Sequence, residues 1–332
     1  MAKTTVLTGN ALTKKLWEER LFRDNIKDSY FARFMGKDGD DNTLINVKTD
    51  LEKSKGDKIT FGIRMRLAGA GVTSGQTLEG NEESLVTHDY SISLERYRHA
   101  VRDNGELDRQ RPIYDMDMQS RNALVDWGSE KIDQLCMDAL VDSPTKINYG
   151  DGNSTGTITT AGLITPALIM NMKIGAKTGW NRTQTPLRPI RHDGKLWYIL
   201  LVHPDVMGDL KKDSTYAQAR REALERSKQN PIFSDAYAIW DNVVIHEHEN
   251  VPIVTDWGSG SNVPGAKNMF MGAQALCWAW GKRPSVVGKN FDYDEEHGFA
   301  WRITAKCGKP KFNSLDYGVA ALYTARTKVS DA

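Results

Sequence analysis

Apolar and polar residues alternate from Asp57 to Arg66. Ile59, Phe61, Ile63 and Met65 fall on one side, and Lys58, Thr60, Arg64 and Arg66 on the other. A period of two marks a strand with one buried face. A second strand is predicted near residues 86–101, with Tyr90, Ile92, Leu94 and Tyr97 as its apolar members. The stretch between them, Leu67 to Glu83, holds four glycines (Gly69, Gly71, Gly75 and Gly80) and almost no core. Loops of that length are uncommon in a compact domain unless they serve a function. Flanked by two strands, this one predicts a projecting hairpin.

The period changes after the hairpin. From about Leu107 to Val141, the residues Leu124, Trp127, Ile132, Leu135, Cys136 and Ala139 recur at three- and four-residue steps, which predicts one long helix. Pro112 is compatible only with its first turn, and Asp142-Ser143-Pro144 ends it. Residues 145–165 are rich in Gly, Thr, Ser and Asn and read as loop. A mixed α/β pattern then runs to about Trp280: a helix over 166–177 opened by Thr165 and Pro166, a buried strand over Leu196–Val202, a helix opened by His203-Pro204-Asp205, a solvated helix over 215–228, and short strands at Val243–Ile245, Val251–Val254 and Met269–Trp280. Phe299, Trp301, Ile303 and Ala305 alternate with Arg302, Thr304 and Lys306 as a further strand, and Gly318–Tyr323 is the last.

The first 50 residues differ from the rest. Leu12, Leu16 and Trp17 stand at helical spacing and Phe31 and Phe34 follow, but polar runs such as Lys37-Asp38-Gly39-Asp40-Asp41-Asn42 separate them from any continuous core. Scattered anchors cannot offset the entropy of ordering a segment on its own. The segment is expected to lie as an arm along another subunit; the other reading is an ordinary N-terminal helix packed on its own domain.

Composition narrows the function classes. The 332 residues are 39% hydrophobic and 26% charged, with a formal net charge of +1. That fits a packed core and argues against a strongly basic nucleic-acid binder. Cys136, Cys277 and Cys307 are odd in number and far apart, so neither a disulfide framework nor a zinc knot is expected. No signal peptide and no apolar run of membrane-spanning length is evident. Gly69, Gly71 and Gly75 are spaced loosely like a dinucleotide fingerprint, but they join two strands instead of opening a helix. His246 and His248 share a strand face and are the sharpest metal candidates, yet no third ligand stands at motif spacing. Asp292, Asp294, Glu295 and Glu296 read as a solvated turn. Arg182, Arg188 and Arg191, stiffened by Pro186 and Pro189 and with Trp180 nearby, could touch nucleic acid or form salt bridges across a subunit contact, the reading favoured. No cofactor is expected, and no catalytic or metal residue is assigned.

In order, then, come an arm (1–56), a hairpin (57–104), a long helix (105–145), a mixed α/β unit (146–290) and returning strands (291–332). Together with Gly56-Asp57-Lys58-Ile59-Thr60-Phe61, Leu78-Glu79-Gly80-Asn81-Glu82-Glu83 and Gln110-Arg111, this order resembles the major capsid proteins of tailed bacteriophages, of the schitovirus type among podophages. The resemblance covers essentially the whole chain. It implies an α+β HK97-like capsid fold: N-arm, E-loop hairpin, P-domain with its spine helix and strands, and A-domain.

The resemblance implies a structural protein of the virion, not an enzyme, made in the host bacterial cytoplasm. Its copies would join as pentamers and hexamers into an icosahedral head around double-stranded DNA. A separate scaffolding protein, a portal and decoration proteins would be further partners, and no membrane is involved. The interface residues expected are Leu16, Trp17, Phe31 and Phe34 of the arm, and Gly69, Gly71, Gly75, Glu79, Asn81, Glu82 and Glu83 of the hairpin, whose carboxylates would face Arg109 or Arg111 of a neighbour. Two other readings stay open: another virion protein such as a portal or tail-tube subunit, and a metal-dependent hydrolase using His246 and His248.

Overall fold

A computed structural model describes residues 29–328, except 38, 53–55, 66, 68, 111–115, 183 and 223–237. After a short 3₁₀ turn at Phe31–Phe34 come β1 (Ile45–Lys48), β2 (Lys58–Arg64), β3 (Thr87–Ser93) and β4 (Glu95–Arg102). Next are α1 (Glu106–Gln110), α2 (Met116–Val141), β5 (Ile147–Tyr149), α3 (Pro166–Arg182), β6 (Ile190–His192) and β7 (Lys195–Val202). Helices α4 (Pro204–Lys212) and α5 (Ser214–Glu222) precede β8 (Ala238–Trp240), β9 (Val243–Glu247), β10 (Ile253–Trp257), β11 (Val263–Met271) and β12 (Leu276–Phe291). The chain closes with β13 (Glu296–Gly308), β14 (Lys311–Phe312), β15 (Leu315–Asp316) and β16 (Val319–Ala325).

Two sheets organise these strands. One has the order β1-β12-β13-β4; the other runs β5-β16-β11-β7-β9-β8, with β10 on β11 and β6 on β7. The larger sheet is covered on both faces, and period two sorts its residues between them. Tyr198, Leu200, Val202, Phe270 and Leu322 pack with Ile169, Met172, Val206 and Leu210 of α3 and α4. Ile199, Leu201, Met269, Met271 and Tyr323 point the other way, into a core shared with α2 and the smaller sheet. A strand buried on both faces reads as a continuous apolar run, which explains Trp197–Val202; Leu196, expected to be buried with them, is exposed at the start of the strand.

Helix α2 spans 26 residues, a rod of about 39 Å. It buries Leu124, Val125, Ile132, Leu135, Cys136 and Leu140. Trp127 meets the edge of Trp301 on β13, with ring centroids 5.2 Å apart. The helix stops at Pro144, and the Lys309 ammonium donates to the Asp142 carbonyl at 2.6 Å, placing a cation at the negative end of the helix dipole.

Several expectations need correction. The helix predicted from 107 to 141 is described as two pieces, α1 and α2, and Pro112 lies outside the described residues. The strand predicted over 86–101 is two strands in different sheets: β3 pairs with β2, and β4 with β13. Met269–Trp280, read as a strand or a strand pair, spans the end of one strand and the start of another, and these lie in different sheets: β11 belongs to the larger and β12 to the smaller. The boundary expected at 290 therefore fails on both sides: β12 joins the four-stranded sheet, and β16 returns to the middle of the larger one. A hydrophobic pattern reports burial, and it looks the same whichever sheet does the burying.

Candidate assembly surfaces

The hairpin stands on the smaller sheet. Ile59, Phe61 and Ile92 are buried against Cys277 and Ala279, with Tyr90 and Leu94 beside them. The two layers meet closely enough that a Cβ on Gly308 would lie 2.6 Å from the Tyr90 hydroxyl and one on Gly281 2.6 Å from Leu94 Cδ1. Farther out the cover ends. Leu67, Leu78, Leu85 and Val86 are 56%, 68%, 57% and 48% exposed. The long connection is not formless. Turns close at Gln76 N to Thr73 O, 3.1 Å, and Asn81 N to Leu78 O, 3.0 Å, and Gly75 and Gly80 hold positive φ of 102° and 85°, which favours glycine.

Here the expected roles of the carboxylates change. Glu83 accepts from the Gly69 amide at 2.6 Å, across the base of the loop. Glu82 accepts from the Gly80 amide at 2.8 Å, and the Asn81 side chain donates to the Thr77 carbonyl at 2.9 Å. These groups shape the loop they belong to. Glu79 points to solvent. The basic partner expected for them, Arg109, is engaged inside its own subunit with Asp103 at 2.7 Å. Arg111 lies outside the described residues.

Asp103 is the centre of a small junction. Its other oxygen accepts from the His297 amide at 2.6 Å, and the His297 ring meets Asp117, in the first turn of α2, at 3.0 Å. Burial works against the charge on Asp103, but the bonds from Arg109 and His297 outweigh it and hold the carboxyl below its ordinary range. Asp103, Asp117 and His297 are the one group of carboxylates and histidine close enough to share a cation among the described residues; Arg109 supplies positive charge there. Glu295 accepts from the Glu106 amide at 3.0 Å, so the acidic turn ties α1 to the β12–β13 connection.

The arm expectation divides. Leu16 and Trp17 lie outside the described residues. Phe31 and Phe34 are corrected: they are 0% and 6% exposed in the subunit's own core. Sequence reasoning missed the reason, which is Asp133 on α2. It accepts from the Ser29 hydroxyl at 2.5 Å and from the Tyr30 and Phe31 amides at 2.9 and 3.0 Å. Spacing gave no hint, because the partners are about a hundred residues apart. His246 and His248 join this aromatic packing: Phe34 lies 5.5 Å from His246 and Tyr30 4.7 Å from His248. Burial lowers the His248 pKa and pushes that of Tyr30 far up. Of the basic loop, Arg191 bonds the Asn42 side chain through its backbone, and Arg188 is 3.9 Å from Asp41; both contacts lie within the subunit.

A second unforeseen group sits between the sheets. Lys146 (1% exposed), Lys309 (3%) and Asp316 (0%) are buried together. Lys146 donates to the Thr185 carbonyl at 2.7 Å, Lys309 pairs with Asp316 at 3.2 Å, and Asp316 accepts from the Thr145 amide at 2.8 Å. Burial pushes the Lys146 ammonium down to about 8, against the pull of Asp316.

A family model described as phage capsid protein matches residues 3–151 and 137–327. The chain belongs to the phage capsid protein family. The major capsid protein of Pseudomonas phage KPP25 is 29% identical over 364 aligned residues, taking in 94% of this chain and 95% of that protein. The capsid of Ralstonia phage GP4 matches over 100% of both chains with a TM-score of 0.83 and 25% identity. The capsid of cyanophage Pam1 matches at 0.79 and 20% over 98% and 99%. The fold is thus the α+β, HK97-like capsid fold, and the chain is a capsid-forming structural protein of a phage virion.

Proposed function

We propose that copies of this chain join as pentamers and hexamers into an icosahedral shell around double-stranded DNA, each subunit laying its hairpin over a neighbour. The supporting observation is that four large apolar side chains, Leu67, Leu78, Leu85 and Val86, are exposed on a hairpin whose own turns are already satisfied. Several large apolar residues exposed on one projecting element mark an interaction site. Burying it contributes about 25 cal/mol per Å² before ordering costs. The segment before residue 29 serves as a strap along another subunit. A separate scaffold, a portal and decoration proteins complete the head, and subunits are made in the host cytoplasm.

The test is Leu78→Asp with Leu85→Asp in the full chain. Shells, counted by gradient sedimentation and negative-stain microscopy, are expected to disappear while the subunit keeps its circular dichroism. Shells at the wild-type yield overturn the proposal.

A further inference from the structure

His246 and His248 gather no third metal ligand among the described residues. They form instead the floor on which residues 29–34 sit. His246 lies on β9 opposite Leu201 of β7 and is 0% exposed. Phe34 and Tyr30 cover it, with ring centroids 5.5 and 6.0 Å away. His248 follows β9, its amide bonded to the Val202 carbonyl at 3.0 Å. The rings of Tyr30 and Phe31 lie 4.7 and 6.0 Å from it. From the other side Asp133 of α2 holds the Ser29 hydroxyl and the Tyr30 and Phe31 amides. The root of the N-terminal segment is thus clamped between a helix carboxylate and two imidazoles.

The clamp is built for neutral imidazoles. The Asn250 amide donates to His248 Nδ1 at 3.1 Å. A backbone N–H can only donate, so that nitrogen carries no proton in the closed seat. A proton added there would set two donors against each other and break the bond. His246 sits among aromatic and apolar side chains, where a charge is costly. Arg33 already stands over the Tyr30 ring, 5.0 Å from its centroid, and repels a second cation beside that ring. Glu247 falls on the opposite sheet face. For His248 burial is the largest influence and lowers the pKa; Asp133 and Glu249 raise it, and Arg33 lowers it further.

We infer that residues 29–34 are held by a proton-sensitive clamp, in which proton uptake by His246 and His248 releases the root of the N-terminal segment from its own subunit. The sign follows from linkage. With the seat open, the rings reach water and take protons near the ordinary histidine value of about 6.5. With it closed they resist, so the closed form holds fewer protons. Closure is therefore complete above that value and weakens as pH falls below it. Tyr30, whose hydroxyl burial keeps protonated, adds a second loosening only in alkali. The clamp lies inside one subunit and stands apart from the shell reading. Its consequence is for the strap proposed above, which begins where the clamp ends.

The test is hydrogen exchange by mass spectrometry on free subunits of the full chain, each rate corrected for its intrinsic pH dependence. Protection of the Tyr30 and Phe31 amides is expected to fall between about pH 7.5 and about 5.5, by up to about tenfold for each histidine that titrates. Amides of β7 should keep their protection, since the opening is local. His248→Asn retains an acceptor for the Asn250 amide but has nothing to titrate, so its fall should be shallower. His246→Leu should do the same at the other ring. Unchanged protection of Tyr30 and Phe31 in wild-type protein overturns the inference. An equal loss in β7 does so too, because the opening would then be global, and this comparison needs no variant to fold. The wild-type slope persisting in both variants also overturns it.

Discussion

The hairpin and the larger sheet use the same residue types to opposite ends. In the sheet, Tyr198, Ile199, Leu200, Leu201 and Val202 are all 0% exposed, because helices lie on one face and a second core on the other. In the hairpin, Leu78 and Leu85 stand in solvent, and the order comes from carboxylate-to-amide bonds and glycine turns. The first region is complete within one subunit. The second has its backbone settled and its apolar side chains unspent, which is what a component needs when its final packing partner is another molecule.

That contrast can be broken by mutation. Trp301→Ala, in the core under α2, is expected to cost the isolated subunit about 3–5 kcal/mol in chemical denaturation; a loss below about 1 kcal/mol would mean the core described here does not carry the fold. The buried lysine offers a second, smaller handle. Its folded pKa of about 8 lies below the ordinary 10.5. The folded state therefore holds fewer protons than the unfolded one between those values, and stability rises with pH. The penalty is full below pH 8. Between pH 7 and 9.5 this group contributes a gain of about 2 kcal/mol, opposed over the same range by Cys136 and Cys277, whose thiols burial keeps protonated in the fold while the unfolded chain ionises them, so the readout is the difference in slope between wild type and Lys146→Met. Lys146→Met should flatten that slope, and an unchanged slope would sink the assignment. The smallest effect belongs to the hairpin: Leu78→Asp with Leu85→Asp should alter monomer stability by no more than about 0.5 kcal/mol. A larger loss would show that the hairpin packs on its own subunit after all.

Much of this was legible in the sequence, for identifiable reasons. The alternation at Ile59 and Phe61, the run Leu196–Val202, the Pro204 helix start and the Pro144 stop are local signals, and local chemistry decides them. Less legible was anything set by distant partners. Phe31 looked like an anchor for another subunit because nothing near it in sequence reveals Asp133. Arg109 looked free because nothing in the local pattern reveals that Asp103, at the end of the hairpin segment, folds back onto it. Strand β4 was readable in principle: Arg96, Arg98 and Arg102 alternate with Tyr97, His99 and Val101. Treating 86–101 as one strand hid the change of sheet at Leu94.

Strand β16 fills a place inside the larger sheet, one strand in from its edge. β16 slots between β5 and β11, pairing Val319–Ala325 with Met271–Gly265 on one side and Ile147–Tyr149 on the other. Without β16, the edge strand β5 and β11 would face each other across a gap with open backbone groups on both borders. A polypeptide cut short before Val319 would therefore leave the larger sheet split at that seam.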